Sequence, residues 1–532
     1  MQVNSLSLTA ALALLLPVVA AAGQSTTFTD GKPGASQLGQ LNLLTTAGDN
    51  RGTVPSATTL FDPSAVAVDP SSGKVFVADT GNNRVLRFSS TTALANGAAA
   101  ESVLGQANFI TTAGTVSQSR FNDPRSICCD ENGRLWVLDG NRILRFDGAS
   151  NLANGANANG VLGQPNYTST AVNNGQNGIG DPAAISVSVT GALWVSSPGL
   201  SRVTRFANAA AKVDGASADS VLGQVNFATS AAATTRAGLT GPTGLTLDLA
   251  GNLYLADTGN HRVLVFKDAD TGANGRNADI VLGQLVDTSA DIGFGTFGMN
   301  DPVSVTINPL GMLMVGDRGN DRVLLFKNAA NKGDGGAADG VLGQSDLETP
   351  TVLSVDRLFD TVAGLWADGE NRLWVADPGY ARVMRFETDS FQPDAKIGSK
   401  PTSLRGNAIY NTTGAGQRAT IMISGKKTAK AYLALENDGD VIDDLTLSGP
   451  AGSRMIRLTY LQTGGGNVTA PVRTGSLTLE EVDPGQSIAF QLIAKGEPKF
   501  KLRKSKYKAR MSAASASDGE RDSLECLVEK RP

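Results

Sequence analysis

The sequence predicts an all-β chain: a tandem array of small sheets, then a second β region of different pattern. Three observations carry that expectation. A module of about 60 residues recurs six times, with its arginines at Arg84, Arg142, Arg202, Arg262, Arg322 and Arg382. Each copy holds four short apolar segments punctuated by glycine turns, as in Val77–Phe88 and Leu255–Phe266. Beyond Phe391 the period is lost, while strand-like runs and turn signals continue. Fixed-period self-similarity means stacked or circularised units, none able to bury its apolar faces alone.

Taken in chain order, residues 1–23 read as a secretory signal: an apolar run over Leu6–Val19, then the small residues Ala20–Gly23. The first module then predicts strands at Ala65–Asp69, Lys74–Asp79, Arg84–Phe88 and Ser102–Gln106. Its middle segments are apolar at both alternating positions, as are Leu135–Leu138 and Leu373–Ala376, which suits strands sandwiched between two layers. The first segments are built of small residues such as Ala65, Ala67, Ser186, Gly244 and Ser304, as crowding near a central axis requires. Trp366 departs from that rule and is expected to plug part of the channel. The fourth segment is the most uniform: Val-Leu-Gly-Gln at Val103, Val161, Val221, Val281 and Val341. A sixth copy, Gln37-Leu38-Gly39-Gln40, precedes the first module, and none follows the last. An N-terminal segment supplying the outer strand of the last sheet would close a ring and remove a free edge. The expectation is a six-bladed β-propeller over residues 37–388.

These modules resemble the NHL repeat family, whose units carry Pro-x-x-Val-x-Val-Asp and then Gly-x-Leu-x-Val-Ala-Asp-x-Gly-Asn-x-Arg-Val. Ser197 replaces the aspartate in the third unit, and two turn residues are missing between Asp139 and Arg142. The resemblance implies a β-propeller, and ligand binding more often than catalysis. Related propellers include RNA- or protein-binding domains, sensors, and a few lyases and lactonases.

Residues 391–532 read as a β-sandwich, with strand-like runs at Arg418–Ile423, Ala431–Leu435 and Leu445–Leu447 and turns at Asn437–Gly439, Thr463–Asn467 and Asp483–Ser487. The stretch Ala431–Leu447 resembles immunoglobulin-like modules of exported bacterial proteins. The one basic run, residues 499–510, alternates Lys499, Lys501, Arg503, Lys504, Lys506, Lys508 and Arg510 with Phe500, Leu502 and Tyr507, as a solvated or lysine-guarded edge strand would.

Charged residues repeated in every unit are read as scaffold. The pairs Asp79/Arg84, Asp139/Arg142, Asp257/Arg262, Asp317/Arg322 and Asp377/Arg382 are expected to brace hairpins, each by roughly 0.2–1 kcal/mol. Gly81, Gly259, Gly319 and Gly379 are expected to supply turn geometry. Asp62, Asp123, Asp181, Asp301 and Asp360 precede the first strands; they could ring one channel mouth, where oxygen ligands would suit Ca2+. The single histidine, His261, is read as an exposed turn residue, and its solitude argues against a zinc lyase or a Ser-His-Asp site. Cys128, Cys129 and Cys526 form no disulfide framework and are read as buried small residues. The loops following Val-Leu-Gly-Gln differ between units, and Phe294 and Phe297 in one of them are candidate contact residues. A net charge of −4 with no large basic face gives no basis for nucleic-acid binding, and no stretch after the leader could span a bilayer. The expected protein is a secreted, periplasmic or cell-surface monomer. It would bind an extracellular protein or glycan without catalysis. The competing reading is a metal-dependent lactonase or lyase using carboxylates in the channel.

Overall fold

The computed structural model describes residues 27–91, 94–350, 353–424, 427–497 and 505–531. The leader expected at residues 1–23 lies outside them, as do Lys499, Lys501, Arg503 and Lys504. Two compact units follow one another, divided between Thr388 and Asp389.

The first unit is of β-propeller type, and among the described residues it holds six four-stranded antiparallel sheets. The first sheet runs Pro63–Val68, Lys74–Asp79, Arg84–Ser90 and Ser102–Leu104 in sequence order. The last runs Gly364–Ala367, Leu373–Asp377 and Arg382–Phe386, and its outer position is taken by Ser36–Leu38 from the N-terminal side. There Ser36 faces Arg385 and Leu38 faces Val383. The first strand of each sheet adjoins that of the next, and the sixth adjoins the first. Every residue of Leu135–Asp139 and of Leu373–Asp377 is buried, because each face packs on a neighbouring sheet.

Small and hydroxylated side chains in the first strands tie neighbouring sheets together. Ser126 Oγ accepts from Ile185 N (3.2 Å), Ser304 Oγ from Leu365 N (2.9 Å) and Thr306 Oγ1 from Ala367 N (2.8 Å). These hydroxyls satisfy backbone donors that no ladder reaches. A Cβ on Gly244 would stand 2.5 Å from Ser304 Cα, so the sheets approach too closely there for any side chain.

The outer strands are shorter than Val-Leu-Gly-Gln suggests. Pairing stops at Leu104, Gly105 turns into the left-handed region (φ 81°), and a Cβ there would lie 2.0 Å from the Phe121 ring. Gln106 then buries its amide, donating to Asn83 O (2.9 Å) and Ala113 O (3.1 Å), which clamps the following loop to the preceding turn.

Each outer strand is latched by the next unit through an Asn-Gly or Asp-Gly pair. Val103 N donates to Asn154 Oδ1 (3.0 Å) while Gly155 N donates to Val103 O (2.9 Å). Asp214 with Gly215, Asn274 with Gly275 and Asp334 with Gly335 hold Val161, Val221 and Val281 in the same way. On the fifth sheet the latch on Val341 comes from Asp30 and Gly31, so the N-terminal segment joins the propeller ahead of Gln37. The exposed polar edge that invites another strand is thereby occupied.

The second unit consists of two five-stranded sheets sharing one core. One sheet orders Pro393–Gly398, Thr428–Asn437, Ser487–Gly496, Ile456–Gln462 and Gly466–Asn467. The other orders Arg418–Ser424, Arg521–Arg531, Ser505–Ser515, Asp443–Ser448 and Leu477–Val482. Alternate residues such as Ile397, Leu433 and Phe490 from the first sheet, and Ile421, Leu447 and Met511 from the second, form the core. The described part of the basic run lies in a central strand, not at an edge. Lys506 and Lys508 are exposed but pair with Glu529 (2.8 Å) and Glu525 (2.9 Å) on the adjacent strand. Among the described residues no helix is long and apolar enough to cross a membrane.

Candidate functional site

The repeated Asp/Arg pairs are core elements, deeper than surface hairpin braces. Asp79 and Arg84 are both 0% exposed. Asp79 Oδ2 accepts from Arg84 Nε (2.6 Å) and Asn82 Nδ2 (2.9 Å), and Oδ1 accepts from Phe61 N (2.7 Å). The guanidinium spends its remaining donors on the carbonyls of Ser56, Thr59 and Phe109, pinning two loops at once. Asp257/Arg262, Asp317/Arg322, Asp377/Arg382 and Asp139/Arg142 repeat the pattern. The energy range suited to exposed cross-strand pairs therefore does not apply; removing one partner of such a buried pair costs about 3–5 kcal/mol. Repeat three differs. Ser197 Oγ donates to Ile179 O, Arg202 Nε has no partner, and burial pulls the Arg202 pKa down.

The glycines of the hairpin turns act through space, not through φ. The left-handed residues stand two positions after them: Asn83 (52°), His261 (51°), Asp321 (50°) and Ala381 (47°). A Cβ on Gly81 would meet the Phe61 ring at 2.6 Å, and one on Gly259 would meet Thr240 O at 2.8 Å. His261 is half-buried rather than exposed, and its Nδ1 accepts from Asp301 N (3.0 Å).

Two cavities lie along the first strands. The larger, about 200 Å3, is lined by their C-terminal ends, including Cys128, Cys129, Asp130, Asp248, Asp368, Val189 and Leu249. The smaller, about 100 Å3, is lined by their N-terminal halves, including Ser64, Arg125, Ser126 and Ser304. Ser186, Thr246, Thr306 and Trp366 line both and form the layer between them. Trp366 packs against the clusters containing Ala65, Cys129 and Ile185.

None of Asp62, Asp123, Asp181, Asp301 and Asp360 lines either cavity. Asp123 and Asp181 share Arg125 (2.6 and 3.6 Å), and Asp301 pairs with Arg318. Burial, then the charges of Asp49 and Asp123, raise the Asp62 carboxyl above its ordinary range. Among the described residues the three-acid group compact enough to share one ion is Asp394, Glu436 and Asp438, in the second unit. Of the four carboxylates that line the larger cavity, Asp130, Asp248 and Asp368 are engaged in turns and Glu131 is exposed. Asp130 accepts from Asn132 N, Arg134 and Trp136 Nε1, and Asp368 from Glu370 N, Arg372 and Trp374 Nε1. Where repeat three has Ser188, Asp270 enters from the next unit to accept from Trp194 Nε1 (3.2 Å) and Arg205 Nε (3.0 Å).

The three cysteines are free and buried. Burial pushes the Cys128 and Cys129 thiols far up, and Cys526 up to about 12. Each packs within a hydrophobic cluster of its own unit.

The variable loops and the hairpin turns gather at one end of each sheet, held there by the buried glutamines. Exposed large apolar side chains concentrate on these loops: Leu41, Leu44, Ile110, Val172, Val225 and Leu285 among them. Phe297 is half exposed, whereas Phe294 lies under the Arg322 guanidinium at 4.2 Å and serves the scaffold.

Sequence reasoning missed the glutamine clamp, the Asp30–Gly31 latch and Asp270. The Asn-Gly and Asp-Gly pairs recur with the period and could have revealed the latch. Asp270 carries no such signal, because it serves a neighbouring unit.

A family model described as the NHL repeat matches residues 62–88 and 239–266. No curated protein matches the chain significantly. Among solved structures it is similar to a catalytically inactive virginiamycin B lyase from Staphylococcus aureus with quinupristin, at 12% identity and a TM-score of 0.33, covering 61% of this chain and 80% of that one. It is similar to a streptogramin B lyase at 10% identity and 0.35, covering 63% and 95%. A gluconolactonase from Xanthomonas campestris aligns at 16% identity and 0.37, covering 67% and 99%. Similarity at this level transfers neither substrate nor activity.

Proposed function

We propose that the chain is an exported binding protein, a six-bladed NHL propeller joined to an immunoglobulin-like sandwich, whose loop end recognises an extracellular protein or glycan. The observation that carries this reading is the crowding of exposed apolar side chains onto loops that differ between units, while the repeated residues beneath them are consumed in the scaffold. Solvent-exposed apolar groups concentrated in one region of a rigid frame mark interaction surfaces. The lactonase or lyase alternative needs carboxylates free to act at the axis. Of the four that line the larger cavity, Asp130, Asp248 and Asp368 instead hold turns, which leaves the exposed Glu131 alone rather than a converging set.

The test replaces the loops over residues 225–240 and 285–299 with the sequence of another unit's loop and compares capture from native extracellular fluid with that of the unaltered protein. Retention of a partner by the unaltered chain and its loss by the variant are expected. Undiminished capture by a folded variant would move the binding surface elsewhere.

A further inference from the structure

We propose that Asp394, Glu436 and Asp438 form a binding site for one divalent cation of the Ca2+ class within the C-terminal unit. Asp394 and Glu436 sit directly opposite each other on the antiparallel strands Pro393–Gly398 and Thr428–Asn437. Like charges so placed oppose strand pairing. Asp438 lies two residues beyond Glu436, just past the strand end, held by donation of its N–H to Gln392 O (2.8 Å). One carboxylate oxygen from each residue lies within 4.8 Å of the others. Two oxygens on opposite sides of a calcium ion, each about 2.3–2.6 Å from it, span a similar distance.

A second, independent observation points into the cluster. Asp394 is 0% exposed, yet its Oδ1 has no hydrogen-bond partner. Its Oδ2 takes only Ala408 N (3.3 Å) and a distant Lys396 Nζ (3.5 Å). A buried carboxylate oxygen left bare is costly, and such atoms in a folded protein require an explanation. Lys396, which also pairs with Glu436, is the one ammonium against three carboxylates, so the cluster retains the charge of two anions. Burial first, then Asp438 and Asp522, raise the Asp394 carboxyl to about 6, as expected of an acid short of positive charge.

Tyr410 donates its hydroxyl to Asp438 Oδ2 (2.7 Å). Glu436 and Asp438 are only half-buried, so the cluster is reached from solvent on their side. All-oxygen donors of irregular arrangement suit calcium, which accepts six to eight ligands flexibly; Mg2+ demands a near-ideal octahedron.

The experiment uses the full chain freed of metals with a chelator and titrated with CaCl2, read by calorimetry and by thermal melting. The unaltered protein is expected to release or absorb heat and to melt at a higher temperature with Ca2+. Asp438→Asn and Glu436→Gln, checked for folding by circular dichroism, are expected to weaken binding at least tenfold. Lys396→Met is expected to tighten it several-fold, since the ammonium competes with the ion; a plain surface salt bridge predicts no such gain. Asp62→Asn and Asp123→Asn, in the propeller, are expected to leave the response intact. Absence of heat and melting shift at millimolar Ca2+, an equal response to Mg2+, or loss of the response only in the propeller variants would overturn the proposal.

Discussion

At Arg202 the guanidinium is as buried as its five counterparts, yet Ser197 stands opposite it where they face aspartate. The hydroxyl turns away to Ile179 O, and Nε is left bare. Ser197→Asp would return a carboxylate to a position where the backbone already accommodates one in five sister sheets. A hydrogen bond to a charged group contributes about 1.5–3 kcal/mol, so a gain of about 1–3 kcal/mol is expected, read from the urea midpoint at unchanged slope. A loss of stability would show that repeat three has repacked around the serine. The partnership of Asp and Arg was legible in the sequence because it recurs with the period. Its depth was not: a strand–turn–strand pattern gives which residues face each other, and burial depends on loops arriving from two other places in the chain. His261 illustrates the same limit, since its partner Asp301 N lies 40 residues away.

Edges decide how the sheets hold together as elements. Ser36–Leu38 completes the last sheet, and Asp30 with Gly31 latches the outer strand of the sheet before it. A short segment thus joins two sheets. Removal of residues 27–40 should expose the edge of Arg382–Phe386 and leave Val341 unlatched, lowering the melting temperature and promoting association through the free edge. A synthetic peptide covering residues 27–40 should restore the melting temperature when added to the truncated protein. Full stability of the truncated chain without peptide would show that the sheets close by side-chain packing alone. The strand was readable from Gln37–Gln40 as a displaced copy of Val-Leu-Gly-Gln. The latch was harder to read because its signal is a dipeptide, and its meaning depends on a left-handed glycine (φ 64° at Gly31) set against another unit's backbone. For the basic run the solvated-strand alternative holds over its described part and the edge alternative does not. Alternating lysines describe an exposed face equally well at an edge or at the centre of a sheet, and only the acids of Arg521–Arg531 reveal the neighbour.

Across the propeller as a whole, Trp366 is the one aromatic side chain in the first strands, and it is the largest of the four side chains, with Ser186, Thr246 and Thr306, that lie between the two axial cavities. Its position contrasts with that of Trp374, which is 1% exposed and donates Nε1 to Asp368 (3.0 Å) between packed sheets. If the sheets are held by strand ladders, inter-sheet hydroxyl bridges and latches, then the axis bears little of the load. Trp366→Ala should then cost distinctly less than Trp374→Ala, for which about 3–5 kcal/mol is expected from a fully buried tryptophan. Both are measurable from denaturant midpoints with matched slopes. Trp366→Ala should also join the cavities of about 200 and about 100 Å3 into one passage, detectable in a crystal of the variant as continuous ordered water. An equal loss of stability in the two variants would mean that Trp366 is a keystone on which all the sheets lean, and the distributed account of cohesion would have to be abandoned.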